Sequence, residues 1–158
     1  MYQHILILQN IRSTHNVGSI FRTADACGIQ KIFLVGYTPA PIDQFNRPIK
    51  EIAKTALGAE KNIPYEKTKS FSSLIKKLKK EGYTIIAIEQ SENSVDYKKV
   101  KLTKNQKVAF VLGEEVKGLT KKELALCDVV TEIPMKGKKE SLNVSVAAGV
   151  ALFRILHI

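Results

Sequence analysis

Residues 4–35 read HILILQNIRSTHNVGSIFRTADACGIQKIFLV. The apolar run His4–Leu8 reads as a buried strand. Asn16 is a residue type that caps helices, and the stretch from Val17 to Cys27 reads as a helix that Gly28 stops. A second apolar run, Lys31–Val35, follows at once as another strand. Strand, helix and strand in so short a span set the theme for the rest of the chain.

Working outward, Gly36–Pro48 holds three prolines and one glycine and reads as a loop. Ile49–Leu57 reads as helical, and Ile63–Tyr65 as a weak edge strand because Pro64 cannot donate to a ladder. Ser70 caps a helix to Glu81, ended by Gly82, with Phe71, Leu74, Ile75 and Leu78 on its apolar face. Lys76, Lys77, Lys79 and Lys80 form its wet side, either a solvated face or a stripe along an RNA backbone. Thr84–Ile88 and Val108–Leu112 read as strands, and Thr120 caps a short helix to Cys127. Val129–Ile133 is the last strand. Asn143–Leu156 is the last helix, apolar around most of its circumference, which requires burial on more than one side. In so small a chain, part of that burial points to a subunit interface. Strands alternating with helices imply an α/β fold with a mostly parallel sheet and helices on both faces. Ligands then sit at the carboxyl ends of the strands.

The length of 158 residues suits a single domain over 1–158. Hydrophobic residues make up 44%, enough for a sizeable core, and charged residues 25%. No apolar run approaches the ~18 residues of a membrane span, and the first residues lack a signal-peptide pattern. The expectation is therefore no membrane partner and a cytoplasmic protein. Cys27 and Cys127 are far apart and in no metal-like spacing, so they read as small buried hydrophobes in a reducing compartment. His4, His15 and His157 make no metal set, and no metal is expected. The net charge of +10 points to a polyanion, most simply RNA. Of the 25 basic residues only four are arginine: Arg12, Arg22, Arg47 and Arg154. In a lysine-dominated chain, arginine marks places that need its planar fork.

Three loops carry the chemistry. The first, Gln9–Gly18, has a single glycine where a dinucleotide site requires G-x-G-x-x-G. The second, Gly113-Glu114-Glu115-Val116-Lys117-Gly118-Leu119, imitates P-loop spacing, but Leu119 stands where lysine is required. Two adjacent carboxylates would also repel a triphosphate. The third runs from Ile133-Pro134-Met135 through Gly137 to Ser141-Leu142-Asn143. Glycines at 113, 118 and 137 allow close backbone approach. With Leu112, Ile133, Met135 and Leu142 as apolar walls, they make a purine-sized pocket plausible on chemistry alone.

Together these segments resemble the TrmH-like (SpoU) family of the SPOUT RNA methyltransferases. The first motif is matched by Asn10, Asn16, Gly18 and Arg22. The second is matched by Leu112-Gly113, Glu115 and Gly118-Leu119, and the third by Ile133-Pro134-Met135, Gly137 and Ser141–Ala147. The resemblance spans nearly the whole chain in the family's order. It implies a C-terminal trefoil knot, S-adenosylmethionine bound in it, and a homodimer with the site at the interface. It implies cofactor contacts at Leu112, Gly113, Gly118, Ile133, Met135 and Leu142. It carries the catalytic arginine onto Arg22, its partner onto Asn16, and the third-motif pair onto Ser141 and Asn143. Two positions depart from many relatives: Glu114 stands for a small residue, and Val116 for a glycine, which should stiffen the loop. The expectation is a single domain with no added RNA-binding domain, and the resemblance does not select tRNA over rRNA.

The implied reaction is transfer of a methyl group to a ribose 2′-hydroxyl. A guanidinium is always protonated and is a poor base. Arg22 is therefore expected to clamp phosphate and stabilise the developing alkoxide, or else to pair structurally with Asp25 or Glu115. Asn16 serves the helix start and can orient Arg22 or the ribose. Ser141 and Asn143 are either caps or sugar contacts. Glu115 could accept a hydrogen bond from the nucleotide or fix Arg22. Base methylation, a non-catalytic RNA-binding role and a cofactor-free protein–protein module are the competing readings.

Overall fold

The computed structural model describes residues 3–158. Seven strands form one sheet: β1 (Gln3–Gln9), β2 (Lys31–Val35), β3 (Tyr65–Thr68), β4 (Thr84–Ile88), β5 (Val95–Asp96), β6 (Lys107–Leu112) and β7 (Val129–Glu132). Their order is β3-β2-β1-β6-β4-β7-β5, and every pairing is parallel. The helices are α1 (Thr14–Ala26), α2 (Lys50–Ala56), α3 (Ala59–Asn62), α4 (Phe71–Lys80), α5 (Lys121–Leu124) and α6 (Val144–Leu156).

Strand alternation divides the core in two. Leu6, Leu8, Val108, Phe110 and Leu112 face one side and pack with Val17, Ile20 and Phe21 of α1, Ile52 of α2, and Ala151, Leu152 and Ile155 of α6. Ile5, Ile7, Ala109 and Val111 face the other side and meet Phe71, Leu74, Ile75 and Leu78 of α4. The expected apolar face of α4 is thus its core face, with its lysines outside. A parallel sheet covered on both sides needs strands apolar on both faces, which is why β1 and β6 read as continuous apolar runs.

Several boundaries differ from those expected. Helix α1 begins at Thr14, and its cap is Ser13, not Asn16: the Ser13 hydroxyl accepts the N–H of Asn16 at 3.2 Å. A cap satisfies the N–H three residues on, so Asn16 lies inside the first turn and its side-chain amide is released for other work. The weak edge strand lies at Tyr65–Thr68, just beyond Pro64, whose carbonyl accepts from Ile32 N–H. Only Lys121–Leu124 of the short helix is α-helical, opened by a capping box between Thr120 and Glu123. The last strand stops at Glu132, leaving Ile133 to the loop. The short α3 and the two-residue β5 had no sequence signal.

Helix α6 is apolar all round, as expected, and its two sides differ in size. Ala148, Ala151, Leu152 and Ile155 are buried, whereas Leu142 just before it and Val146, Val150 and Phe153 on it remain exposed. Cys27 is buried as expected, whereas Cys127 is only partly so; removal from water pushes each thiol up to about 11, which favours the uncharged form.

Gly18 sets how closely α1 approaches α2. A methyl group there would meet the Thr55 hydroxyl and come within 2.5 Å of the Ile52 carbonyl oxygen. Thr55 Oγ1 also donates to the His15 carbonyl at 3.1 Å, tying the two helices at this point. We expect Gly18→Ala to cost about 1–3 kcal/mol by overpacking, a fall of roughly 2–12 °C in Tm for a domain of this size. A thermal melt followed by circular dichroism checks this, and an unchanged Tm would show that the helices can separate freely.

Candidate active site

The strand order reverses between β1 and β6. From β1 the chain steps outward to β2 and β3, while β4, β7 and β5 lie beyond β6. A crevice opens at the carboxyl ends of the strands on either side of such a switch point. The loops that follow β1 and β6 are the first and second motifs, so the sheet brings two sequence-distant segments side by side.

Glu115 joins them. Its Oε1 accepts the Ser13 N–H at 3.0 Å and the Asn16 side-chain amide at 3.1 Å, and its Oε2 accepts the Arg12 N–H at 3.1 Å. These donors lie at the N-terminus of α1, where backbone N–H groups favour an anion. Partial burial works against the charge, but the N–H groups of Ser13, Arg12 and Glu115 itself and the Asn16 amide prevail. They hold the carboxyl below its ordinary value of 4.5. Asn16 is shared in turn: its Oδ1 accepts the Asn143 side-chain amide at 3.2 Å. Asn143 caps α6, its own Oδ1 accepting the Ser145 N–H at 2.9 Å and the Ser145 hydroxyl at 2.6 Å. One chain of hydrogen bonds therefore runs through all three motifs, from Glu115 through Asn16 and Asn143 to Ser145.

Beside this chain lies a cavity of about 250 Å³. Leu112, Gly113, Gly118, Ile133, Met135 and Leu142 all line it, and so do Glu115 and Ser141. Gly118 has φ +63°, and a side chain there would collide with the Glu89 carboxylate. Gly113 packs so closely on Gly118 and Leu119 that a methyl would come within 2.8 Å of both. The loop between them closes by a hydrogen bond from Gly118 N–H to the Glu114 carbonyl at 2.9 Å. Val116 projects from this turn, 88% exposed, and is not among the left-handed residues, so the loop forms without the glycine that many relatives have there.

Sequence reasoning missed Glu89, Gln90, Glu132 and Glu140, which also line the cavity. Glu89 accepts the N–H groups of Leu119 at 3.1 Å and Gln90 at 2.9 Å, fastening the second motif to the end of β4. The position of Glu89 and Gln90 just after β4, and of Glu132 at the end of β7, was the available signal; Glu140 had none. Among the described residues, Glu89, Glu114, Glu115, Glu132 and Glu140 line the cavity, and Lys117 is the one basic lining residue. The cavity of a strongly basic chain is thus acidic. Its flanking segments are not: Lys136, Lys138 and Lys139 are exposed between Met135 and Glu140.

Arg22, Asn16 and Asn143 are not cavity-lining residues. Arg22 is exposed on α1, and the structural pairs with Asp25 or Glu115 are not formed among the described residues. The described residues hold no group of three or more metal-ligating side chains. No helix among them is long and apolar enough to cross a membrane.

The model of the SpoU rRNA Methylase family matches residues 3–153. The chain belongs to this family. A protein of Staphylococcus saprophyticus named "Putative TrmH family tRNA/rRNA methyltransferase" is 33% identical over 153 residues, 97% of this chain and 58% of that one. The AdoMet-bound rRNA methyltransferase from Sinorhizobium meliloti superposes with a TM-score of 0.83 at 29% identity, over 96% of this chain and 55% of that one. The A. aeolicus TrmH/SpoU tRNA modifying enzyme gives a TM-score of 0.84 at 27% identity, over 99% and 75%. The chain therefore spans little more than half the length of the first two. The expected parallel α/β sheet with helices on both faces is the fold of this SpoU family member.

The Glu115 carboxylate is the link whose removal is most informative. Glu115→Gln replaces one acceptor oxygen by a donor facing N–H groups, and should cost about 1–2 kcal/mol at pH 7. A carboxyl held below its ordinary value stabilises the fold above pH 4.5, and that contribution fades as pH falls through the lowered value. The Tm gap between wild type and Glu115→Gln should therefore narrow as pH falls below 4.5. Equal Tm values at pH 7 would show that the link carries no stability.

Proposed function

We propose that this protein methylates a ribose 2′-hydroxyl of tRNA or rRNA with S-adenosylmethionine, working as a homodimer. The observation that supports this most strongly is the acidic cavity. All six positions expected to hold the cofactor line it, next to the Asn16–Asn143 pair. Its walls suit the group: Leu112, Ile133, Met135 and Leu142 offer apolar surface to a flat purine, and the carboxylates favour a cationic sulfonium and ammonium. S-adenosylmethionine, when bound, supplies an activated methyl group on sulfur.

The chain's own residues then have distinct tasks. Asn16 and Asn143, fixed by Glu115 and by each other, present amides to sugar oxygens, and Ser141 adds a hydroxyl at the cavity wall. Such alignment of the 2′-oxygen can supply several kcal/mol. Arg22 provides a fork for the substrate phosphate and stabilises negative charge developing on the 2′-oxygen. It lies outside the cavity of its own chain, which favours a site completed across a dimer. The exposed stripe Leu142, Val146, Val150 and Phe153 is the surface that such a dimer would cover. The trefoil knot of the resemblance belongs to the same proposal. In it the C-terminal segment threads through a loop, and S-adenosylmethionine is held in the knot.

Ribose is favoured over base methylation because, among the described residues, no aromatic side chain lines the cavity, and Phe21 and Phe110 of the adjoining motifs are fully buried. A base methylase must hold one ring in place, commonly by stacking. Alkaline digestion of RNA labelled by the enzyme tests the assignment, because a 2′-O-methyl blocks cleavage at its own linkage. Label is expected in alkali-resistant dinucleotides and should fall more than tenfold with Arg22→Lys, since a point charge cannot replace a bidentate clamp. Label recovered wholly in mononucleotides would overturn ribose methylation in favour of base methylation.

A further inference from the structure

The loop between β2 and α2 and the first motif together carry an exposed aromatic feature that the cavity does not use. The Tyr37 ring is 52% exposed, and the Arg12 guanidinium lies over it at 5.2 Å from the ring centroid. Both are tethered to the site. Tyr37 N–H donates to Asn10 Oδ1 at 3.2 Å, and Arg12 N–H donates to the Glu115 carboxylate at 3.1 Å. The arrangement recurs further along the same loop. Phe45 is 65% exposed, and the Arg47 guanidinium sits 4.9 Å from its ring centroid, steadied by Asp43 at 2.8 Å.

Two of the chain's four arginines are thus laid over exposed rings. Lysines also lie over rings, at Phe33, Tyr83 and Tyr97, but those rings are buried or half-buried. An exposed ring with a planar guanidinium across it leaves flat surfaces for one more flat partner. A nucleobase stacks on aromatic and guanidinium planes alike. The exposed lysines and the net charge of +10 select a polyanionic owner for that base.

We infer that Tyr37 and Arg12 form a shelf on which an unpaired nucleobase of the substrate RNA stacks, outside the cavity. The Phe45–Arg47 pair is a second such surface on the same loop. The inference rests on the RNA-methylation assignment and deepens it. The base is held on the surface by stacking, and the sugar edge is left to face Asn16 and Asn143. It also gives Arg12 a use that a lysine could not supply, because an ammonium has no plane.

The chain contains no tryptophan, so Tyr37→Trp creates a single fluorescent reporter at the shelf. The probes are a short oligoadenylate and a ribose-phosphate oligomer of equal length lacking bases. Oligoadenylate should quench the fluorescence, and the abasic oligomer should not, although both compete for the same phosphate contacts. Tyr37→Leu should weaken oligoadenylate binding about tenfold or more, and Tyr37→Phe should retain it, with both variants matching wild type by circular dichroism. Equal quenching by the two oligomers, no quenching, or wild-type affinity in Tyr37→Leu would overturn the shelf. The readout is stacking and not methyl transfer, so the two claims fail separately. Absent quenching with alkali-resistant product removes the shelf alone. Quenching without a ribose product removes the ribose assignment alone.

Discussion

A single carboxylate decides how the site is assembled. Glu115 accepts three N–H groups from the start of α1, and it stands on the loop that follows a different strand. The donors and the acceptor are about a hundred residues apart in the chain, and only the adjacency of β1 and β6 brings them together. Each donor would otherwise be an unpaired backbone or amide group at a helix start. The anion fits there because the helix N-terminus is electropositive. Once Glu115 is in place, Asn16 has one defined orientation, Asn143 follows from Asn16, and the third motif is drawn to the first.

The charge distribution separates two kinds of ligand. The cavity is lined by five glutamates and one lysine, and the loop at its edge carries exposed Lys136, Lys138 and Lys139. A small cation and a large polyanion would be sorted by these fields before any specific contact forms. Glu89 and Glu115 are also spent in hydrogen bonds to backbone N–H groups, so part of the acidity supports the loops that form the walls.

Much of this was legible in the sequence. Strand–helix alternation gave the parallel sheet, and the apolar face of α4 could be read from Phe71, Leu74, Ile75 and Leu78. The cavity positions were legible because glycines and apolar residues cluster after predicted strands, where ligands bind. What escaped notice depended on long-range pairing. Ser13 and Asn16 are both cap-type residues three apart, and the local pattern does not say which one caps. The answer shows only in the fold, where Asn16 donates its amide N–H to Glu115 and its Oδ1 accepts from Asn143. Val95–Asp96 becomes a strand only because β7 offers it an edge. Glu89 follows an ordinary apolar strand, and its role appears only when Gly118 is packed against it. Arg22 is exposed on α1 and does not line the cavity, a separation that motif spacing alone does not show.

The central claim is that the three loops, held together through Glu115, form a preorganised pocket for S-adenosylmethionine that needs no metal. Isothermal titration calorimetry of S-adenosylmethionine into chelator-treated protein tests it most directly. The account predicts saturable binding at one site per chain, unchanged by the chelator and weakened in Glu115→Gln. Absence of binding, or binding that appears only when a divalent metal is restored, would contradict it.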